Sequence, residues 1–279
     1  MTELADKVYE ESLKAYNVVR QVAHRTPLDL SATFSRMASA TVYLKLENLQ
    51  KTGSFKVRGA YYKIWSLGDA ARRAGVVAVS AGNHAQGVAY AASTLDVRAT
   101  IVMPTTAPVS KVLATRSYGA EVVLYGSIID ESMARAQEIV GKAGAVLIHP
   151  YDDIQVMAGQ GTISLELLEQ MDGRPDVVVI PIGGGGLISG NAAVLKRRLG
   201  SSVKVIGVEP SYLPKYTTIV KERRAFELKA PVTGLMDGLI VKSPGKLTEQ
   251  LIEELVDDIV TVDDKEVAEA MFLLLERGK

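Results

Sequence analysis

The 279-residue sequence has no cysteine and no excess of charge of either sign. The absence of cysteine excludes disulfides, thiolate metal sites, iron–sulfur clusters and a cysteine nucleophile, and it fits a reducing cytoplasm. Lysine and arginine together number 32, as do aspartate and glutamate. Because this balance gives no electrostatic footprint for nucleic acid or an anionic membrane, we expect neither as a partner.

The sequence also lacks a secretory signal and a plausible membrane span. Acidic residues such as Glu3 and Asp6 replace the apolar core of a signal peptide. One uncharged stretch, 177–195, is long enough to cross a bilayer, but its proline and glycines favour a strand, a turn and a helix. We therefore expect a soluble cytoplasmic protein, with one large domain or two modest ones.

Short β-branched runs alternate with longer amphipathic stretches along most of the chain. This alternation predicts parallel sheets covered on both faces, either one doubly wound sheet or two smaller ones. Ligands of such folds bind at the turns that follow strands. The predicted strands are 42–47, 76–79, 99–103, 121–124, 145–148, 177–182, 203–208 and 259–262, and the predicted helices are 3–22, 56–67, 84–95, 109–117, 128–142, 154–170, 187–199, 247–256 and 264–277.

Gly183, Gly184, Gly185 and Gly186, followed by Leu187, lie between a predicted strand and a predicted helix. Glycines allow several backbone N–H groups to face one anion, most naturally a phosphate, with the helix dipole behind them. A tight turn without a ligand is the alternative, and four consecutive glycines argue against it. A nicotinamide-dependent oxidoreductase is a weaker alternative, because the spacing is not G-x-G-x-x-G.

A second turn after a strand consists of Ser80, Ala81, Gly82, Asn83 and His84. Its backbone N–H groups suit a carboxylate, and the Asn83 amide adds a polar contact. Taken alone, Asn83 is expected to be a helix N-cap and His84 to be a helix-start residue.

Lys56 begins a predicted helix between the apolar residues Phe55 and Val57, close to the small Gly53. Partial loss of water would lower its pKa towards the neutral amine that nucleophilic catalysis needs. A phosphate cradle, a carboxylate cradle and an amine nucleophile together describe a pyridoxal-phosphate site that accepts an amino acid.

Five motifs resemble, in the same order, those of the fold-type II pyridoxal-phosphate enzymes, within the threonine dehydratase (threonine ammonia-lyase) branch. The resemblance covers essentially the whole chain. The motifs are KLENLQKTGSFKVRGA (45–60), SAGNHAQGVAYAA (80–92), HPYDDIQVMAGQGT (149–162), PIGGGGLISG (181–190) and GVEP (207–210).

The resemblance implies a role for each candidate residue. Lys56 would be the Schiff-base lysine and the base for the substrate α-proton. Phe55 would flank the cofactor ring, and Asn83 would contact the ring oxygen. The phosphate would be held by Gly183, Gly184, Gly185, Gly186 and Leu187, and the substrate carboxylate by Ser80, Ala81, Gly82, Asn83 and His84.

The resemblance also implies two parallel-sheet domains, the smaller (49–148) inserted in the larger (1–48 and 149–279), and a homodimer or homotetramer. The expected reaction converts L-threonine, and L-serine secondarily, to 2-oxobutanoate or pyruvate plus ammonia, in amino-acid metabolism that includes isoleucine biosynthesis. The family's segment facing the pyridine nitrogen would follow Lys279, so we expect these residues to be part of a longer chain.

Other members of the same family are alternatives: a serine racemase, a hydroxyaspartate dehydratase or a non-catalytic relative that binds the cofactor or an amino acid. Ala81 stands where racemases carry a serine whose hydroxyl exchanges the second proton, so dehydration is favoured. Lys215 stands where the racemase's divalent-metal site would have a carboxylate, and we predict no metal.

Overall fold

The computed structural model describes residues 1–228 and 232–277. Residues 229–231 and 278–279, within the range predicted for the larger domain, lie outside the described residues. The helices are α1 (Glu3–Val19), α2 (Ala32–Ala38), α3 (Lys56–Trp65), α4 (Asp69–Ala74), α5 (Asn83–Thr94), α6 (Val109–Ser117), α7 (Ile129–Ala143), α8 (Ile154–Gln170), α9 (Gly186–Leu199), α10 (Lys246–Leu255) and α11 (Asp264–Arg277). The strands are β1 (Leu28–Leu30), β2 (Tyr43–Lys45), β3 (Val76–Val79), β4 (Ala99–Met103), β5 (Glu121–Leu124), β6 (Val146–Leu147), β7 (Val177–Pro181), β8 (Lys204–Pro210) and β9 (Asp258–Val262).

Strands β3 to β6 form a four-stranded parallel sheet in the order β5-β4-β3-β6. Alternate residues of β3 face opposite cores. Val76 and Ala78 belong to the cluster that includes α5, whereas Val77 and Val79 pack with Ala136 of α7. Both faces of the central strand are therefore covered, which is why its sequence is continuously apolar.

Strands β7, β8 and β9 form a separate three-stranded parallel sheet. Its core contains Ile180 and Ile182 together with residues of α1, α9 and α10. The prediction that strands are covered on both faces is wrong for β7, because Val177 and Val179 are 51% and 61% exposed. This strand lies at the sheet edge, and local hydrophobicity does not encode a strand's position in a sheet.

The choice between one sheet and two is resolved as two parallel sheets, and the α/β fold class is confirmed. The predicted strand 42–47 joins neither of them. Its core, β2, pairs antiparallel with β1, a short strand that the sequence patterns did not indicate. The uncharged stretch 177–195 is β7, a glycine turn and part of α9, as predicted. Within the described residues, no helix has the length and apolar character needed to cross a membrane.

Helix α8 packs against both α3 and α9, and glycines make each contact close. A Cβ on Gly159 would lie 2.5 Å from the Cα of Gly59, and a Cβ on Gly161 would lie 2.8 Å from the carbonyl oxygen of Gly190. Such distances leave no room for a side chain. Because α3 begins at Lys56 and α9 at Gly186, a single helix supports two of the three segments that the sequence assigns to the site.

Candidate functional site

Lys56 is the first residue of α3, and its ammonium group lies against the chain that follows β6. Its Nζ donates a hydrogen bond to the carbonyl oxygen of Pro150 at 2.9 Å and lies 5.3 Å from the centre of the Phe55 ring. Burial of the amine lowers the pKa of Lys56 to about 8, in agreement with its apolar flanks. At pH 8 roughly half of the molecules therefore carry a neutral amine at this position.

The chain leaving β6 also contacts His84, at the start of α5. The Nε2–H of His84 donates to the carbonyl oxygen of Ile148 at 2.9 Å. Burial, and then the charge of Lys56, lower the pKa of His84 to about 3. His84 is thus neutral near pH 7, with its proton committed to a backbone carbonyl. It fits a wall of the site and not a proton carrier.

The turn after β3 presents backbone N–H groups at the start of α5. Gly82 is the N-cap of this helix and its N–H donates to Ser80 Oγ at 3.1 Å. The N-cap assignment of Asn83 is wrong, because Asn83 is the first helical residue and its side chain is exposed. Within the described residues, the N–H groups of Ala81 and Asn83 meet no acceptor. They are available to an anion at the positive end of the α5 dipole.

The glycine turn after β7 is enclosed by other parts of the chain. Cβ atoms on Gly184 and Gly186 would collide with Tyr151, and a Cβ on Gly185 would lie 2.8 Å from the hydroxyl oxygen of Tyr216. The glycines are therefore also required by packing, which sequence reasoning did not foresee. The N–H groups of the buried Gly184 and Gly185 meet no acceptor in residues 1–228 and 232–277. Buried donors at the start of a 14-residue helix suit a phosphate.

Replacing Gly185 with alanine is expected to destabilise the protein by about 1–3 kcal/mol, because its φ is +94° and the added methyl group would contact Tyr216. Gly141, inside α7, is a matched control. It is exposed and an added Cβ meets nothing within 4 Å. Gly141→Ala should therefore stabilise by about 0.5–1 kcal/mol. Urea unfolding of both variants measures this, and equal effects would contradict the strain argument.

Two consecutive residues connect the amine to the glycine turn. The carbonyl oxygen of Pro150 accepts from Lys56, and the Cα of Tyr151 lies 2.9 Å from the position of a Cβ on Gly186. With standard backbone dimensions, these contacts place Lys56 Nζ within about 10 Å of Gly186 Cα. Leu187 follows in the first turn of α9 and is partly buried.

A short turn, 237–239, lies between the two cradles. Gly238 and Leu239 border Gly183, where a Cβ would lie 3.3 Å from each. Asp237 pairs with Lys111 at 3.3 Å, and the Lys111 ammonium lies 3.9 Å from the position of a Cβ on Gly82. The structure therefore gathers the sequence-predicted residues around one region, bounded by the starts of α3, α5 and α9.

A family model described as "Pyridoxal-phosphate dependent enzyme" matches residues 19–279. The chain belongs to this family. It is 48% identical over 272 residues to the L-threonine ammonia-lyase of Thermotoga maritima, which covers 97% of this chain and 67% of the relative. The processed form of threonine deaminase isoform 2 from Solanum lycopersicum is 38% identical with a TM-score of 0.92, covering 98% of this chain and 75% of that one. Maize serine racemase is 35% identical with a TM-score of 0.92, covering 96% of this chain and 80% of that one.

The predicted resemblance, the fold-type II class and the cofactor are thereby confirmed, and the residues fit pyridoxal phosphate. The buried N–H groups of Gly184 and Gly185 suit its phosphate. Lys56 supplies an amine of lowered pKa within about 10 Å of Gly186 Cα, a span that one cofactor molecule can bridge.

Several residues of this pyridoxal-phosphate family member were not predicted as part of the site. Pro150 contributes a carbonyl, Tyr151 packs on the glycine turn, and Tyr216 and Thr248 donate to the carbonyl oxygen of Gly184. Of these, Pro150 and Tyr151 had a signal, their position in the HPYDD motif. The others act through backbone groups or across long sequence separations, which no local pattern reveals.

Proposed function

We propose that the chain removes water and ammonia from L-threonine, and secondarily from L-serine, to give 2-oxobutanoate or pyruvate. The observation that carries this proposal is the neutralisable Lys56 amine beside two sets of N–H donors that meet no acceptor among the described residues, one suited to a phosphate and one to a carboxylate. The names of the lyase from Thermotoga maritima and the deaminase from Solanum lycopersicum support the choice of threonine.

When bound, pyridoxal phosphate supplies an electron sink for the negative charge left at the substrate Cα. In this proposal Gly183 to Leu187 bind the phosphate and Ser80 to His84 bind the substrate carboxylate. Lys56, as the free amine, removes the Cα proton. Its pKa of about 8 suits a base that works near neutral pH.

The proton that Lys56 gains is available for the departing hydroxyl group, which leaves as water. Hydroxide itself is a poor leaving group, so an acid at this point is required. Phe55 would flank the cofactor ring, and the side-chain amide of Asn83 would contact the ring oxygen. His84 stays neutral and bounds the carboxylate site, because its Nε2–H is bonded to Ile148.

We propose a smaller domain of 49–148, which includes the four-stranded sheet, and a larger one of 1–48 and 149–279, which includes the three-stranded sheet. A homodimer or homotetramer in the cytoplasm is proposed by analogy with the family and from the absence of cysteine. Isoleucine biosynthesis is proposed as one use of the 2-oxobutanoate.

A serine racemase is the second candidate, because the maize enzyme of that name has nearly the same fold. Racemisation needs a proton donor on each side of the substrate plane. Ala81 has no exchangeable proton in its side chain, which favours elimination.

The test incubates the purified chain with pyridoxal phosphate and then with L-threonine or L-serine. We expect 2-oxobutanoate and ammonia in equal amounts from L-threonine, and pyruvate without D-serine from L-serine. Borohydride reduction followed by peptide mapping should place the cofactor label on Lys56. D-serine as the main product would establish the racemase, and a label without turnover would indicate a non-catalytic relative.

A further inference from the structure

Two opposite charges are completely buried behind the glycine turn. Glu209 lies near the end of β8, and Lys215 lies in the chain that follows; neither side chain is exposed to solvent. The Lys215 ammonium is 3.9 Å from Oε1 of Glu209 and makes no hydrogen bond within residues 1–228 and 232–277. Burial lowers the pKa of Lys215 to about 8, against the opposing charge of Glu209. Burying such a pair is costly, and the proposed reaction does not use it.

The Glu209 carboxylate holds the backbone of the next segment. Its Oε1 accepts the N–H of Tyr216 at 2.9 Å. Its Oε2 accepts the N–H of Thr217 at 2.8 Å and the Thr217 hydroxyl at 3.0 Å. The backbone position of Tyr216 therefore depends on a buried anion, whose nearest cation is the Lys215 ammonium.

Tyr216 connects this pair to the glycine turn. Its side chain is fully buried, and its hydroxyl donates to the carbonyl oxygen of Gly184 at 2.9 Å. The Thr248 hydroxyl donates to the same oxygen at 3.0 Å. One carbonyl of the turn is thus fixed by two buried hydroxyl groups.

Fixing the orientation of this carbonyl group also fixes the orientation of a backbone N–H donor, that of Gly185. The carbonyl of Gly184 and the N–H of Gly185 belong to one planar trans peptide, in which they point in opposite directions. Hydrogen bonds that draw the carbonyl towards Tyr216 therefore turn the Gly185 N–H away from it, towards the proposed phosphate site. Gly185 has no side chain to hold this orientation itself, and its φ of +94° is open to glycine above all.

We propose that Lys215 is a positioning residue, whose buried ammonium balances Glu209 so that Tyr216 orients the Gly185 N–H towards the phosphate. This inference rests on the proposed assignment of the glycine turn. It predicts that removing the charge of Lys215 weakens the binding of a phosphate group specifically, although Lys215 does not contact the ligand.

The test isolates the contribution of the phosphate. The full chain is stripped of cofactor and titrated with 4′-deoxypyridoxine 5′-phosphate or with 4′-deoxypyridoxine, neither of which has an aldehyde for Lys56. The dissociation constant of 4′-deoxypyridoxine divided by that of its 5′-phosphate reports the contribution of the phosphate group alone. We expect this ratio to fall at least tenfold in Lys215→Met and in Tyr216→Phe, and to be unchanged in Lys204→Met, an exposed lysine of β8.

The double variant tests whether Lys215 and Tyr216 affect phosphate binding through the same interaction. If they do, Lys215→Met combined with Tyr216→Phe should lose little more than either single change, whereas independent effects would multiply. In Lys215→Ala, methylammonium should restore at least part of the ratio by occupying the space of the deleted ammonium. Tetramethylammonium, which is too large for that space, should not.

Three outcomes would overturn the inference: an unchanged ratio in folded Lys215→Met, an unchanged ratio in Tyr216→Phe, or losses that multiply. Tyr216→Phe removes a single oxygen, so an unchanged ratio in this variant overturns the inference even if Lys215→Met does not fold. A wild-type ratio near one would instead refute the phosphate assignment of the turn. The two failures are therefore distinguishable.

Discussion

Replacing Lys56 with alanine is expected to lower kcat/KM for L-threonine by at least about 10³-fold, since a positioned acid–base group alone contributes about 10²–10⁴-fold. Lys56 is also the amine that joins the cofactor in the proposed reaction, so both functions are lost together. The measurement is 2-oxobutanoate formation with saturating pyridoxal phosphate. Lys51→Ala, which removes an exposed lysine five positions earlier, is the matched control and should retain activity.

The fold should survive the loss of Lys56. Its pKa falls from 10.5 when unfolded to about 8 when folded, so at pH 7 the buried charge opposes folding. In the cofactor-free wild type this penalty disappears as pH rises from about 8 to about 10.5, so its stability should increase over that interval. Lys56→Ala should show a smaller increase than the wild type, because the buried Lys215, whose pKa is also lowered to about 8, still contributes to it. A Lys56→Ala protein that keeps more than a tenth of the wild-type kcat/KM for L-threonine would refute the assignment of Lys56 as the Schiff-base lysine and base.

Replacing Arg58 with methionine is expected to cost about 3–5 kcal/mol of stability, because it leaves the buried Glu166 and the partly buried Glu47 without their cation. The guanidinium is fully buried. Its Nε and Nη2 contact Glu47 at 2.8 and 2.9 Å, and its Nη1 and Nη2 contact Glu166 at 2.7 and 2.9 Å. Burial opposes the charge, but the hydrogen bonds to both carboxylates outweigh it and raise the Arg58 pKa. After the substitution, Lys45, 2.7 Å from Glu166, would be the remaining lysine or arginine paired with these carboxylates in the part of the chain that the structure describes.

The surface pair Arg135–Glu138 provides the comparison. Its atoms are 2.6 Å apart, but the side chains are 35% and 53% exposed, so Arg135→Met should cost at most about 1 kcal/mol. Urea midpoints of both variants, taken in the same buffer, measure the difference. Similar midpoints for the two variants would show that the buried network contributes no more than a surface ion pair.

Elements with strong local patterns were predictable. Strands 76–79, 99–103 and 121–124 and helices 109–117 and 154–170 have the predicted bounds, since apolar periodicity and flanking turn residues determine them locally. The missed elements, such as β1 and the six-residue α4, are too short to be stable alone and depend on tertiary contacts.

The candidate site was predictable only in part. Lys56 and the two turns stand out because their residue types suggest chemistry. The residues that support them do not: Glu209 and Lys215 drew attention only through a racemase's metal site, which gives no hint of a link to the glycine turn, and Tyr216 reaches Gly184 across 32 positions. The glycine turn was interpreted from its possible ligand alone, yet Tyr151 also requires two of its glycines.

The glycine contacts of α8 have a consequence for laboratory evolution of this protein. Because Gly159 meets Gly59 and Gly161 meets Gly190, a larger residue at either position would push α3 or α9 outward. The distance between the nitrogen of Lys56 and the glycine turn would change as that helix moved. Libraries that aim to admit bulkier amino acids should therefore leave the middle of α8 untouched and vary the loops around the cavity.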